Sequence, residues 1–187
     1  MTCSSGLLPR ERDWDGSRLC VGGQSAGGGN LSAAAARLAL ESGGPQLRLQ
    51  VLQYPPLDLV TRAKDKNARA GKEAVFRPWM GDILDTAYIP DPAARRDRLA
   101  SPAWGANGDN IEGIAPALVI TAELDRLRDE AASYARKLED AGSLVAYHDI
   151  PGVDHGYNIL SDSEEVTRQM YDFIADHVAT ATAKRSS

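Results

Sequence analysis

The sequence predicts an α/β fold, a mostly parallel sheet with helices on both faces. Two observations carry this. Short apolar runs alternate along the chain with longer stretches of helical spacing, and that alternation implies right-handed βαβ crossovers. Residues 116–124, "PALVITAEL", are almost unbroken in apolar character, as a central parallel strand covered on both faces requires.

The elements follow in order from "RLCVGGQSAGGGNLSAAAARLA", residues 18–39. Residues 19–21 read as a short strand and residues 31–40 as a helix. Between them stand Gly22, Gly23, Gly27, Gly28 and Gly29, so the backbone turns sharply or approaches something closely. Residues 47–54 form a second strand that Pro55 and Pro56 stop. The polar, poorly periodic stretch 60–76 reads as a loop passing into a short helix. Residues 78–89 are helical in spacing and Pro90 ends them. After the strand at 116–124, residues 128–142 make an amphipathic helix closed by Gly142. Residues 143–152 make another strand. Residues 162–180 make a last helix, with Val166, Met170, Phe173, Ile174 and Val178 near a 3.6 period.

At 187 residues the chain is long enough for one domain with a core, expected over residues 16–183 after a poorly defined segment at 1–15. The net charge of −5 would repel a phosphate backbone, so no nucleic-acid partner is expected. Cys3 and Cys20 are the only cysteines. Cys20 lies in the first strand and reads as a small buried thiol rather than a disulfide or metal ligand. The start "MTCSSGLLPRERD" has no signal-like apolar stretch and no segment suits a membrane span, which makes the cytoplasm the expected location.

Ligand sites in such a sheet lie beyond the carboxyl ends of the strands. Ser25 follows the first strand, Asp125 the apolar strand ending at Leu124, and His155 the strand ending near Ile150. Gly23-Gln24-Ser25-Ala26-Gly27 fits G-x-S-x-G, and the order Ser, Asp, His is that of the strand–elbow–helix hydrolases. The chemistry needs these residue types. A serine hydroxyl is a weak nucleophile until an imidazole takes its proton, and the imidazole needs a carboxylate on its other nitrogen. Ala26 N–H, at the start of the following helix, is the candidate oxyanion donor. Each residue also has an ordinary structural role open to it. Asp125 can cap a helix, Asp129 and Glu130 can favour that helix's dipole, and His155 can be a polar loop residue. His148 and His177 read as structural or surface residues. The combination, in order and at strand ends, favours function.

Five blocks then resemble a known family: "GQSAGGGNL", "YPPLDL", "YIPDPAARRDRLASPAW", "PALVITAELDRLRDEAASYARKLEDAG" and "IPGVDHGY". Together they are similar to the bacterial hormone-sensitive-lipase family of α/β-hydrolases, from about residue 16 to the C-terminal helix. The resemblance implies an α/β-hydrolase fold with Ser25 as nucleophile, His155 as base and Asp125 orienting the base. It also implies hydrolysis of small carboxylic esters, commonly with short acyl chains, with no cofactor and no metal.

Two departures qualify the resemblance. Gln24 stands where the family more often has an acidic or small residue, and an extra glycine precedes Asn30. The family's HGGG-type loop, which supplies most of its oxyanion hole, has no counterpart here. The only His-Gly pair is His155-Gly156, and 24 residues precede Ser25. The expectation is therefore an esterase domain lacking N-terminal strands and cap. The alternatives are a weakly active or inactive fragment, a non-catalytic ligand-binding protein on the same fold, and a peptidase. With earlier strands gone, the first strand would be an open edge, so self-association or a sheet-completing partner is expected.

Overall fold

A computed structural model describes residues 16–67, 70–71, 74–160 and 164–183. Cys3, the segment 1–15 and the first residues of the expected last helix lie outside the described residues. Four strands, β1 (Leu19–Gln24), β2 (Leu47–Gln53), β3 (Ala117–Ala122) and β4 (Leu144–Ile150), form one sheet in the order β1-β2-β3-β4. All three pairings are parallel. Sequence order thus equals spatial order, and each crossover runs over a face of the sheet.

The helices are α1 (Leu31–Ser42), α2 (Pro78–Tyr88), α3 (Arg128–Asp140), α4 (Tyr157–Leu160) and α5 (Glu164–Thr182). Gly43, at φ 62°, ends α1, and Gly142, at φ 67°, follows α3; both use the left-handed region open to glycine. Pro78 opens α2, where its missing N–H costs nothing. The stretch 60–76 is largely irregular. Its helical content among the described residues is one 3₁₀ turn, Ala63–Asp65.

Period-two alternation along β3 divides the core. Ala117 and Val119 face α1 and α3 with Ala36, Ala131, Tyr134 and Leu138. Leu118, Ile120 and Ala122 face the other layer with Tyr157 and Met170, against which Phe173 and Ile174 of α5 pack. Every residue of β3 is buried, whereas β1 is half-buried and partly exposed. Cys20 is accordingly a free, half-buried thiol, less enclosed than a mid-sheet position would make it. Among the described residues β1 has a neighbouring strand on one side only.

Candidate active site

The strand ends converge as the sequence order suggested. Ser25 joins β1 to a wide helical turn, Ala26–Asn30, that runs into α1. Its backbone lies at φ 53° and ψ −150°, a conformation costing about 1–3 kcal/mol that survives only where its surroundings enforce it. Two glycines enforce it here. A Cβ on Gly23 would lie 2.6 Å from the Cα of Gly28, and one on Gly28 would lie 2.6 Å from the Cα of Gly23. Gly27, the second glycine of the motif, faces open space. The close approach therefore belongs to Gly23 and Gly28.

Asp125 follows β3 and is fully buried. Its Oδ1 accepts the N–H of Leu127 at 3.0 Å, leaving Oδ2 for His155 Nδ1 at 2.8 Å. Asp125 thus turns the chain into α3 and holds the imidazole at once. His155 Nε2 lies 3.1 Å from Ser25 Oγ. With the proton on Nδ1, Nε2 accepts the serine's hydrogen bond, the tautomer that a carboxylate on Nδ1 selects.

Aromatic rings fix the imidazole from two further directions. Tyr54 meets it edge to face at 4.8 Å between centroids, and Phe76 lies tilted at 5.6 Å. The loop bearing Phe76 is fastened by Arg126 Nε, which donates to Phe76 O at 3.1 Å, and by Val75 N–H, which donates to Asp154 Oδ2 at 2.7 Å. Asn67 Nδ2 donates to Asp125 O at 2.6 Å. Ala26 opens the helical turn, so its N–H belongs to those without a partner inside the helix.

Behind Asn67 lies a buried ion pair, Lys66 Nζ on Glu130 Oε2 at 2.6 Å. Glu130 Oε1 also accepts Leu57 N–H at 2.7 Å. Burial pushes the Glu130 carboxyl up to about 7, against the pull of Lys66. Glu130 is thus more than a dipole-favouring residue of α3. Its neighbour Asp129 lies in the exposed first turn and pairs with Arg128. His148, on β4, stacks tilted on Phe173, and His177 Nδ1 bonds Phe173 O; neither meets the site residues.

Sequence reasoning missed Tyr54, Phe76, Asn67 and Asn158. One signal was available for Tyr54: it directly follows β2, the one strand whose carboxyl end supplied no candidate. Among the described residues no group of three or more His, Cys, Asp or Glu side chains is placed to hold a metal ion, and no helix is long and apolar enough to cross a membrane.

Strand order, elbow and site geometry define an α/β-hydrolase. A model of the alpha/beta hydrolase fold family matches residues 5–159, and the chain belongs to that family, in the hormone-sensitive-lipase type its motifs resemble. It is 35% identical over 147 residues to the carboxylesterase NlhH of Mycobacterium tuberculosis, covering 76% of this chain and 44% of that protein. An ethyl acetate hydrolase of Pseudomonas putida is 33% identical over 168 residues, 88% of this chain and 52% of that one. Among solved structures, a thermostable esterase from Pseudomonas putida ECU1011 matches with a TM-score of 0.80 at 31% identity, over 91% of this chain and 53% of the other. The chain spans about half the length of the curated relatives it matches.

Proposed function

We propose that this chain is the catalytic part of a serine hydrolase that cleaves small carboxylic esters, those with short acyl chains, through an acyl-enzyme. One observation carries the reading: the hydrogen-bonded series Ser25 Oγ, His155 Nε2, His155 Nδ1, Asp125 Oδ2, at 3.1 and 2.8 Å. The names of the matched relatives, a carboxylesterase and an ethyl acetate hydrolase, favour the same bond type.

In this reading Ser25 Oγ attacks the ester carbonyl carbon while its proton passes to His155 Nε2. The carbonyl oxygen becomes an oxyanion facing Ala26 N–H. The tetrahedral centre collapses, the C–O bond to the alcohol breaks, and His155 returns the proton to the departing oxygen. Water, deprotonated by the same nitrogen, then attacks the acyl carbon; the C–O bond to Ser25 Oγ breaks, His155 Nε2 returns the proton to the serine, and the carboxylic acid leaves. Buried Asp125 keeps its charge throughout and stabilises the imidazolium. No cofactor enters any step.

The test is hydrolysis of p-nitrophenyl acetate and butyrate. Ala26 supplies one oxyanion donor, and loss of such a donor typically costs about 10²–10³ in kcat, so turnover by this chain alone is expected to be slow. His155→Ala is expected to abolish it. Hydrolysis that survives that substitution undiminished overturns the reading.

Assembly and location belong to the same proposal. Among the described residues β1 presents an unpaired edge, and Leu31 and Leu38 on the adjoining α1 are each about half exposed (51% and 52%). Such an edge is a template for a further strand, so the isolated chain is expected to self-associate, which light scattering at micromolar concentration reads directly. A monodisperse monomer contradicts this part. A cytoplasmic setting suits the free Cys20 thiol, which a reducing compartment would leave unpaired.

A further inference from the structure

Tyr54 follows β2, the strand that contributes nothing to the Ser25–His155–Asp125 series. Its φ of 36° puts a non-glycine residue in the left-handed region, so its surroundings must hold it there. Three contacts do so. Its N–H donates to Ile120 O at 2.7 Å. Its ring stands edge to face on the His155 imidazole, with an interplanar angle of 64°. Its phenol oxygen lies 2.7 Å from Gln24 Oε1 and 2.5 Å from Asn158 Oδ1. Asn158 Nδ2 donates to the same Gln24 oxygen at 2.8 Å, closing a triangle.

The corners of that triangle are placed to matter. Gln24 immediately precedes Ser25, and Asn158 comes three residues after His155. The backbone ladder joins these two regions only indirectly, through β2 and β3, because β1 and β4 are opposite edges of the sheet. The triangle is a direct tie between them. The phenol stays protonated and able to donate, because burial raises its pKa far above the ordinary value. Asn158 is held in turn by Tyr171, whose hydroxyl accepts from Nδ2 at 2.8 Å.

We propose that Tyr54, Gln24 and Asn158 are positioning residues that tie the nucleophile's turn to the base's loop and set the reach between Ser25 Oγ and His155 Nε2. Reacting groups tolerate little misplacement: about 1 Å can cost on the order of 10²-fold in rate. The effect on rate rests on the esterase reading; the effect on geometry does not.

The test compares the full chain with Tyr54→Phe and Tyr157→Phe. Tyr157 is equally buried, its ring stands edge to face on Tyr54 at 5.7 Å between centroids, and its hydroxyl accepts from Gln53 Nε2 at 2.6 Å, so Tyr157→Phe removes a neighbouring hydroxyl and keeps the ring contact. The first readout needs no substrate. It is the downfield proton resonance of His155 Nδ1–H against Asp125, recorded where all three proteins are folded. The proposal expects a sharp signal in the parent and in Tyr157→Phe, and a broadened or lost one in Tyr54→Phe. The second readout is Ser25 phosphonylation by a fluorophosphonate, in which the P–O bond forms as fluoride leaves, expected to slow roughly tenfold in Tyr54→Phe with its binding constant for the probe unchanged. A signal equal in Tyr54→Phe and parent, absent from the parent, or lost equally in Tyr157→Phe overturns the proposal. So does an unchanged phosphonylation rate. A parent that gives the resonance, loses it in Tyr54→Phe alone, and is never labelled by the fluorophosphonate supports the tie and overturns the esterase reading instead.

Discussion

The proposed nucleophile and the carboxylate proposed to orient its base rest on differently built parts of the sheet. Asp125 follows β3, a strand buried along its whole length between two layers of apolar side chains. Ser25 follows β1, the edge of the described sheet, half-buried with Gly22 exposed, beside a helix that shows Leu31 and Leu38 to solvent. The carboxylate is thus fixed by the core itself. The serine is fixed by local devices: a close glycine pair, a strained backbone and side-chain hydrogen bonds to distant residues. Among the described residues no second strand flanks β1, so precision there is built locally.

The largest expected effect is on the well-packed side. Asp125→Asn keeps an oxygen for Leu127 N–H but turns an NH₂ toward His155 Nδ1. The imidazole then carries its proton on Nε2 and cannot accept from Ser25. Esterase activity should fall by about 10⁴ with little change in melting temperature; a fall below tenfold would contradict the role given to Asp125.

Core against edge comes next. Leu118→Ala empties a fully buried position on β3 and should destabilise by about 2–5 kcal/mol. Leu38→Ala on the exposed face of α1 should stay within about 0.5 kcal/mol. Equal losses in denaturant titrations would erase the contrast between the two parts.

Within the elbow, Gly28→Ala drives a Cβ to 2.6 Å from Gly23 Cα, and backbone on both sides has to move. A loss of about 1–3 kcal/mol in stability is expected, together with most of the activity. Gly27→Ala meets nothing within 4 Å and has no positive φ. It should be tolerated within about 0.5 kcal/mol, although it breaks the written motif.

A further effect concerns pH. Burial raises Glu130 from 4.5 to about 7, so the folded state binds a proton there that the unfolded state has released. Stability from this group is present below about 4.5 and declines as pH rises to about 7. The stability difference between parent and Glu130→Gln should fall across that window and stay level above it. A difference that rises with pH would reverse the sign given to this carboxyl.

The parts legible in the sequence were those whose signals are local. The unbroken run 116–124 is enough to expect β3, because a strand covered on both faces has no polar side to show. Pro55, Pro90 and Gly142 mark ends because each limits or frees φ. The glycine-flanked Ser25 shows that a tight elbow is needed, though not that Gly28 rather than Gly27 makes the close approach. That depends on how the helical turn lies over β1. Longer-range facts left no local trace. Gln24 is bonded to residues 30 and 134 positions away, and Glu130 reaches back to Leu57 across 73 positions. Cys20 reads as apolar and enclosed, yet its burial depends on what stands beside β1, which composition does not encode.

Covalent labelling of Ser25 tests the central claim most directly, since it asks for nucleophilic attack without turnover. The chain is incubated with a fluorophosphonate, digested, and the modified peptide identified by mass spectrometry. The esterase reading predicts a single adduct on Ser25, absent from Ser25→Ala and slowed by at least about 10³-fold in His155→Ala. An adduct on another residue that persists in Ser25→Ala, or labelling indifferent to His155, would contradict it.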